Sequence, residues 1–369
     1  MQTRWPYLAF GIFLGFAGAC NTADLTKAPD TSAGTSGSPE APPDESELPL
    51  PDGGSDGAAG LDGVVIPVSS NVTIQVQPSD FGAAIEAAIR AAKTSVHMTM
   101  YLLTDTTIID ALGDLKDAGK DVKVVLNQTF PPNGGDNATA FSKLKARGVS
   151  VVYAPATYTF THAKSVVIDK AKVLIMTMNL TQTSAKDNRE YIATDSDPAD
   201  VADCETLFAA DYAGQSVKVD GKLIVSPQAA SPIDPRARLK ALIGSAKTSL
   251  DIEVQSLSDD TLTDAIILAH KAKVVVRVVL EGGNEVTPGQ MDDITKLKAA
   301  GVPLVGVTTP YIHAKAIVVD NQKVFVGSQN FTPTALVQNR EIGVVTDAAA
   351  EVTKVRDVIA KDFAAGTPL

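Results

Sequence analysis

Two short stretches of this chain repeat each other at every position that bears polar chemistry. His162-Ala163-Lys164-Ser165-Val166-Val167-Ile168-Asp169 and His313-Ala314-Lys315-Ala316-Ile317-Val318-Val319-Asp320 both read H-x-K-x-x-x-x-D. Asn179 and Glu190 trail the first copy, Asn330 and Glu341 the second, and 313−162, 330−179 and 341−190 all equal 151. One such motif arises by chance in roughly one or two chains in a hundred of this length, so two with matching followers mean duplication. The repeat reaches well beyond the motif. Ala92-Lys93-Thr94-Ser95-Val96 has an echo in Ala246-Lys247-Thr248-Ser249-Leu250, and Lys123-Val124-Val125-Leu126 resembles Arg277-Val278-Val279-Leu280. Leu144-Lys145-Ala146-Arg147-Gly148-Val149 matches Leu297-Lys298-Ala299-Ala300-Gly301-Val302. A duplicated βα unit restricts the fold to two similar halves.

Within the first half the apolar spacing predicts strands over 72–76, 96–102, 122–126 and 149–153, and helices over 81–92, 108–118 and 138–147. Gly148 is placed to stop the last helix in a left-handed cap. Strands alternating with such helices imply an α/β fold, each half a mixed sheet with helices over its faces. A chain of 369 residues with 44% hydrophobic content has ample core for this. The halves are expected over 64–220 and 221–369, related by a pseudo-twofold axis, with a linker near 220–234.

On a strand, His162 and Lys164 project from one face, as do His313 and Lys315. A neutral imidazole beside an ammonium suits attack on a phosphoryl group: the ring nitrogen is the nucleophile and the lysine holds the anionic oxygens. Asn179 and Asn330 add amide donors, and Thr177 and Ser328, two residues before them, add hydroxyls. Glu190 and Glu341 sit in a repeated Asn-Arg-Glu triplet. A carboxylate on a histidine's Nδ1 fixes its tautomer and raises its basicity. Asp169 and Asp320 end the motif strands and read as structural.

Two H-x-K-x-x-x-x-D motifs, each followed by Asn and then Glu, resemble the phospholipase D superfamily over roughly residues 64–365. The resemblance implies two pseudo-twofold-related halves, a phosphohistidine intermediate, no metal and no cofactor. Its site would comprise His162, Lys164, Asn179 and Glu190 with His313, Lys315, Asn330 and Glu341. His162 is taken as the nucleophile by analogy. With both copies in one chain, a monomer completes the site. Gly327-Ser328-Gln329-Asn330 keeps the family's Gly-Ser-x-Asn, whereas Met176-Thr177-Met178-Asn179 departs from it. The departure suggests a looser approach of the first half to its phosphate. The implied activity is hydrolysis of the phosphate–headgroup ester of glycerophospholipids to phosphatidate and alcohol. A nuclease, a phosphatidyltransferase of the cardiolipin-synthase kind and a non-enzymatic surface-binding protein are the competing readings.

The N-terminus reads as an export signal: Arg4, an apolar run from Leu8 to Phe16, then Ala17-Gly18-Ala19-Cys20. This resembles the lipobox of bacterial lipoproteins, with cleavage after residue 19 and lipidation at Cys20, and implies an exported protein anchored in a bacterial cell envelope. Residues 21–63 hold nine acidic residues against Lys27 alone, amid Pro, Gly and Ser, the composition of a disordered tether. That tether accounts for about eight of the net charge of −11, so the folded body is only mildly acidic. Such a body weighs against a nucleic-acid partner, while anchoring near a bilayer makes a phospholipid surface the accessible partner. Cys204 reads as a buried small apolar residue, His97 as a satisfied core histidine and His270 as a helix-end residue. No Cys/His/Asp cluster has metal-ligand spacing. Residues 131–135 and 281–284 follow strand ends, where substrate loops sit in α/β folds.

Overall fold

The computed structural model describes residues 66–131, 134–283 and 286–369. The expected signal, Cys20, the acidic tether and the loop positions Pro132, Asn133 and Asn284 lie outside the described residues. The first half runs β1 (Val72–Gln77), α1 (Ala83–Arg90), β2 (Ser95–Met100), α2 (Thr106–Asp117), β3 (Asp121–Leu126), α3 (Ala138–Ala146) and β4 (Ser150–Tyr153). It continues with β5 (Lys164–Ile168), β6 (Lys172–Met176), α4 (Gln182–Asp187), β7 (Asn188–Asp195) and α5 (Pro198–Ala213). The second half runs β8 (Ile224–Ser226), α6 (Pro235–Gly244), β9 (Ser249–Val254), α7 (Asp260–Lys271), β10 (Val275–Glu281), α8 (Pro288–Ala299) and β11 (Leu304–Val307). Then come β12 (Tyr311–Ile312), β13 (Lys315–Val319), β14 (Lys323–Gly327), α9 (Pro333–Val337), β15 (Glu341–Thr346), α10 (Ala349–Ala365) and β16 (Thr367–Pro368).

The strands form two mixed eight-stranded sheets, ordered β1-β7-β6-β5-β2-β3-β4, with β12 added on β7, and β16-β11-β10-β9-β13-β14-β15-β8. In each, three parallel strands (β2-β3-β4, β9-β10-β11) carry the crossover helices, and the motif strand pairs antiparallel with the first of them. Central strands buried on both faces explain the unbroken apolar runs such as Ala316–Val319. Gly148 and Gly301 take φ of 72° and 75° after α3 and α8, the left-handed stops their position requires. The region expected as a linker, 220–234, contains β8, which pairs with β15. Three residues are too few for a periodicity to show.

Three apolar layers hold the sheets. One packs α1, α2 and α3 on the first sheet, and another packs α6, α7 and α8 on the second. The third lies between the halves: Val167, Ile175 and Ala193 of the first sheet meet Ala316, Val318 and Val344 of the second, with Cys204 of α5 and Val355 of α10. This shared core makes the halves one body. Among the described residues no helix is long and apolar enough to cross a membrane.

Candidate active site

The motif aspartates explain the hairpins that aim the motif. Asp169 and Lys170 (φ 56° and 54°) turn β5 into β6, and Asp320 and Asn321 (53° and 55°) turn β13 into β14. Two consecutive positive φ values give the turn that matches strand twist. The Asp169 carboxylate accepts from the backbone N–H groups of Lys93, Thr94 and Ser95 at 2.7–3.0 Å. Asp320 does the same with Lys247, Thr248 and Ser249. These bonds outweigh burial and hold the Asp169 carboxyl down to about 2. The repeated Ala-Lys-Thr-Ser is thus the partner of the motif aspartate, on the opposite end of the sheet from the histidine.

At the other end, strand directions gather the polar residues. β5 begins where antiparallel β6 ends and β7 begins, which puts His162, Lys164, Thr177, Asn179 and Glu190 along one sheet edge; the second half does the same with its counterparts. Backbone bonds then stitch the two edges together. The N–H groups of His162 and Ala163 donate to Arg340 O at 3.0 and 2.8 Å, and β12 runs parallel to Asn188–Arg189. The consequence is a crossing of partners. Nδ1 of His162 lies 2.9 and 3.0 Å from the carboxylate oxygens of Glu341, and Nδ1 of His313 lies 2.8 Å from Glu190 Oε1, off its N–H axis. Each histidine is backed by the other half's glutamate. Two glutamates at equal offsets gave no means of assigning them from sequence.

Because a carboxylate oxygen only accepts, Nδ1 bears the proton and Nε2 keeps its lone pair toward the site. Burial, then the charges of Lys164 and Lys315, pushes the His162 imidazole well below its ordinary range. Burial and Lys315 bring His313 to about 4, against an upward pull from Glu190. Both rings are therefore neutral at neutral pH. Each lysine is buried and folds back on its own motif: Lys164 Nζ donates to His162 O and Lys315 Nζ to His313 O, both at 2.7 Å. Oδ1 of Asn179 and Oδ1 of Asn330 are buried with no protein partner.

The hydroxyl of Thr177 donates to Glu190 Oε2 at 2.5 Å and accepts from Tyr191 N–H, and Ser328 Oγ accepts from Ile342 N–H. These bonds brace the strands that carry the two glutamates. Met176 is buried in the first half's outer core. At its counterpart Gly327, a Cβ would strike Phe325 and Gln329, so glycine there accommodates a larger neighbour.

The arginines of the repeated Asn-Arg-Glu triplet and residues outside any motif surround the site. Arg189 donates to Asp362 at 2.6 and 3.1 Å and Arg340 to Asp211 at 2.9 and 2.8 Å, two cross-half pairs with 362−211 again equal to 151. Applying the offset to every charged residue would have found them. Tyr101 packs edge-on against His162, centroids 4.6 Å apart, with Lys164 Nζ 4.9 Å from its ring. Its counterpart Gln255 accepts from Lys315 Nζ at 3.0 Å and donates to Tyr311 Oη at 2.9 Å. His97 lies apart, bound to Glu205 and Asp121 and stacked on Phe208. His270 is in the last turn of α7, and Cys204 is buried in the shared core.

Two α/β halves that exchange glutamates across a pair of neutral histidines define a duplicated, two-histidine site shared by one chain. The model of the cardiolipin synthase, PLD-like domain matches twice, over residues 85–212 and 239–363, together more than half of the chain. The chain therefore belongs to the phospholipase D superfamily of enzymes. It is 32% identical over 134 residues to the mitochondrial cardiolipin hydrolase of Danio rerio, covering 36% of this chain and 58% of that protein. It is 33% identical over 100 residues to a phospholipase D of Rickettsia prowazekii, covering 27% and 48%. The chain thus spans about half the length of these curated relatives. A phosphatidylserine synthase structure from Haemophilus influenzae shares the fold over 82% of this chain and 89% of that one, with a TM-score of 0.62 at 14% identity. A polyphosphate kinase from Porphyromonas gingivalis does so over 78% and 46%, at 0.59 and 15%.

Proposed function

We propose that the protein is a phosphodiesterase of the phospholipase D type that hydrolyses the phosphate–headgroup ester of glycerophospholipids. The observation that supports this best is the pair His162 and His313, both neutral, both backed by glutamate, with Lys164 and Lys315 beside them. Nε2 of His162 attacks phosphorus, the phosphorus–oxygen bond to the headgroup breaks, and the leaving oxygen takes a proton from His313 Nε2. Water then attacks the phosphohistidine, His313 accepts its proton, and the phosphorus–nitrogen bond breaks to release phosphatidate. Lys164, Lys315 and the side-chain amides of Asn179 and Asn330 hold the non-bridging oxygens. Burial, then the charges of Lys315 and Lys164, depress His313; an arriving phosphate anion offsets the lysine charges and favours the protonated ring that acts as the acid. Lipidation at Cys20 and the acidic tether would keep the body within reach of an envelope membrane, and one chain supplies the whole site.

The test offers phospholipid vesicles and plasmid DNA to the full chain in EDTA, with His162→Ala and His313→Ala beside it. Headgroup release in the parent, lost in both variants, is the expected outcome. DNA cleavage without lipid turnover would replace this reading with a nuclease. Headgroup exchange without net phosphatidate would replace it with a transferase.

A further inference from the structure

The two halves of the site are alike in their motifs and unlike in what surrounds them. Tyr101 and Gln255 are equivalent, each following the strand residue paired with its motif lysine (Met100 with Lys164, Val254 with Lys315). Phe160 and Tyr311 are equivalent too, since 311−160 is again 151. Around His162 both positions are aromatic: Tyr101 meets Phe160 edge-on at 6.0 Å, and the half-buried Phe130 lies 4.9 Å from Tyr101. Around His313 both are polar: Lys315, Gln255 and Tyr311 form one hydrogen-bonded chain, and the Tyr311 ring stacks 6.4 Å from that of His313. A duplicated site thus has one apolar wall and one polar wall.

Building on the proposed phosphatidyl chemistry, we propose that Gln255 and Tyr311 are specificity-determining residues for the leaving alcohol, selecting headgroups that bear hydrogen-bonding groups, while the wall of Phe130, Tyr101 and Phe160 receives the glyceride side. In-line displacement puts the leaving oxygen opposite the attacking nitrogen, hence on the side of His313 and the polar wall. The fragment retained on His162 stays beside the aromatic rings, where apolar contact stabilises it without having to discriminate. A site that hydrogen-bonds its substrate penalises an analogue lacking the partner, because its own polar groups are then left unmatched.

The experiment compares phosphatidylglycerol with phosphatidyl-1-propanol, which share acyl chains and a three-carbon headgroup and differ only in the headgroup's hydroxyls. The parent should favour phosphatidylglycerol in kcat/KM. Tyr311→Phe, which copies Phe160 and keeps the ring, should erase about tenfold of that preference through phosphatidylglycerol alone. Phe130→Ala should lower both long-chain substrates by one common factor and leave the preference intact. A Tyr311→Phe loss equal on both lipids, or a phosphohistidine trapped on His313 instead of His162, would overturn the assignment while the lipid reading stands. Parent enzyme that turns over neither lipid but cleaves bis(p-nitrophenyl) phosphate would sink both.

Discussion

Each histidine depends on the carboxylate behind it, and each carboxylate is held by an amide two residues upstream: Asn188 Nδ2 donates to Glu190 Oε1 at 3.1 Å. Asn339 Nδ2 donates to Glu341 Oε1 at 3.2 Å. In Glu341→Gln the oxygen kept toward that donor still accepts from His162 Nδ1, since Oε1 serves both, so the tautomer holds. What is lost is the carboxylate charge that stabilises the ring as it gains positive charge on bonding to phosphorus. Glu341→Gln should slow phosphoenzyme formation on the order of 10²–10⁴-fold for every leaving group, read in single-turnover kinetics. Glu190→Gln acts on His313, the proposed acid, so it should cost most with an aliphatic alcohol as leaving group and little with p-nitrophenolate, which leaves without protonation. Equal losses on both esters in both variants would remove the division of labour. At this scale the sequence announced the residue types but not their partners. The crossing of Glu190 and Glu341 between halves exists only once the edges of the two sheets meet, and Gln255 and Tyr311 carry no motif at all.

Elements were the most legible level, because the repeat states them twice. Sheet strands and crossover helices fall where the apolar spacing puts them, while β8, at three residues, and β12, at two, form only because a neighbouring strand offers an edge. The repeat also exposes a packing exchange. Leu174, Met176 and Ile192 of the first half stand where the second has Phe325, Gly327 and Gly343, and the pairs Met176–Ile192 and Gly327–Gly343 are cross-strand neighbours. One large ring over two glycines replaces three medium side chains. Gly343→Ala would push a Cβ into the Phe325 ring and to 2.8 Å from Gln329 Oε1, which should cost about 1–3 kcal/mol by overpacking. Adding Phe325→Leu should return part of that loss, so the cycle should show a coupling of about 1 kcal/mol or more in urea unfolding. Additive effects would mean the two positions are not one packing unit.

Across the whole molecule, the halves are held by buried charge as well as by apolar area, and this makes stability depend on pH in two opposite senses. His313, at about 4, binds a proton less readily when folded than when unfolded, near 6.5. Stability from this group therefore rises as pH goes from 4 to 6.5 and is constant above, and His162 adds to it with the same sign. Glu253 works the other way. Burial, then the neighbouring Asp362, pushes its carboxyl up to about 8, while Tyr191 Oη donates to it at 2.5 Å and Arg189 pairs with the same Asp362. Its proton is held more tightly in the folded protein than the unfolded, so its contribution is full below about 4.5 and drains away as pH climbs to 8. Asp195, raised to about 7 by burial, shares that sign. Between 6.5 and 8 these two carboxyl groups lose their protons in the folded protein, so the parent should lose about 2 kcal/mol over that interval, at ~1.4 kcal/mol per proton per pH unit. Glu253→Gln keeps the shape, offers its NH2 to Asp362 and its oxygen to Tyr191, and has no proton to lose. Its melting temperature should fall less from pH 6.5 to 8 than the parent's, with the remaining decline due to Asp195, and the two should lie close together near pH 5.5. Parallel curves for parent and variant would show that Glu253 is ionised in the folded protein and that the seam between the halves does not store its proton there.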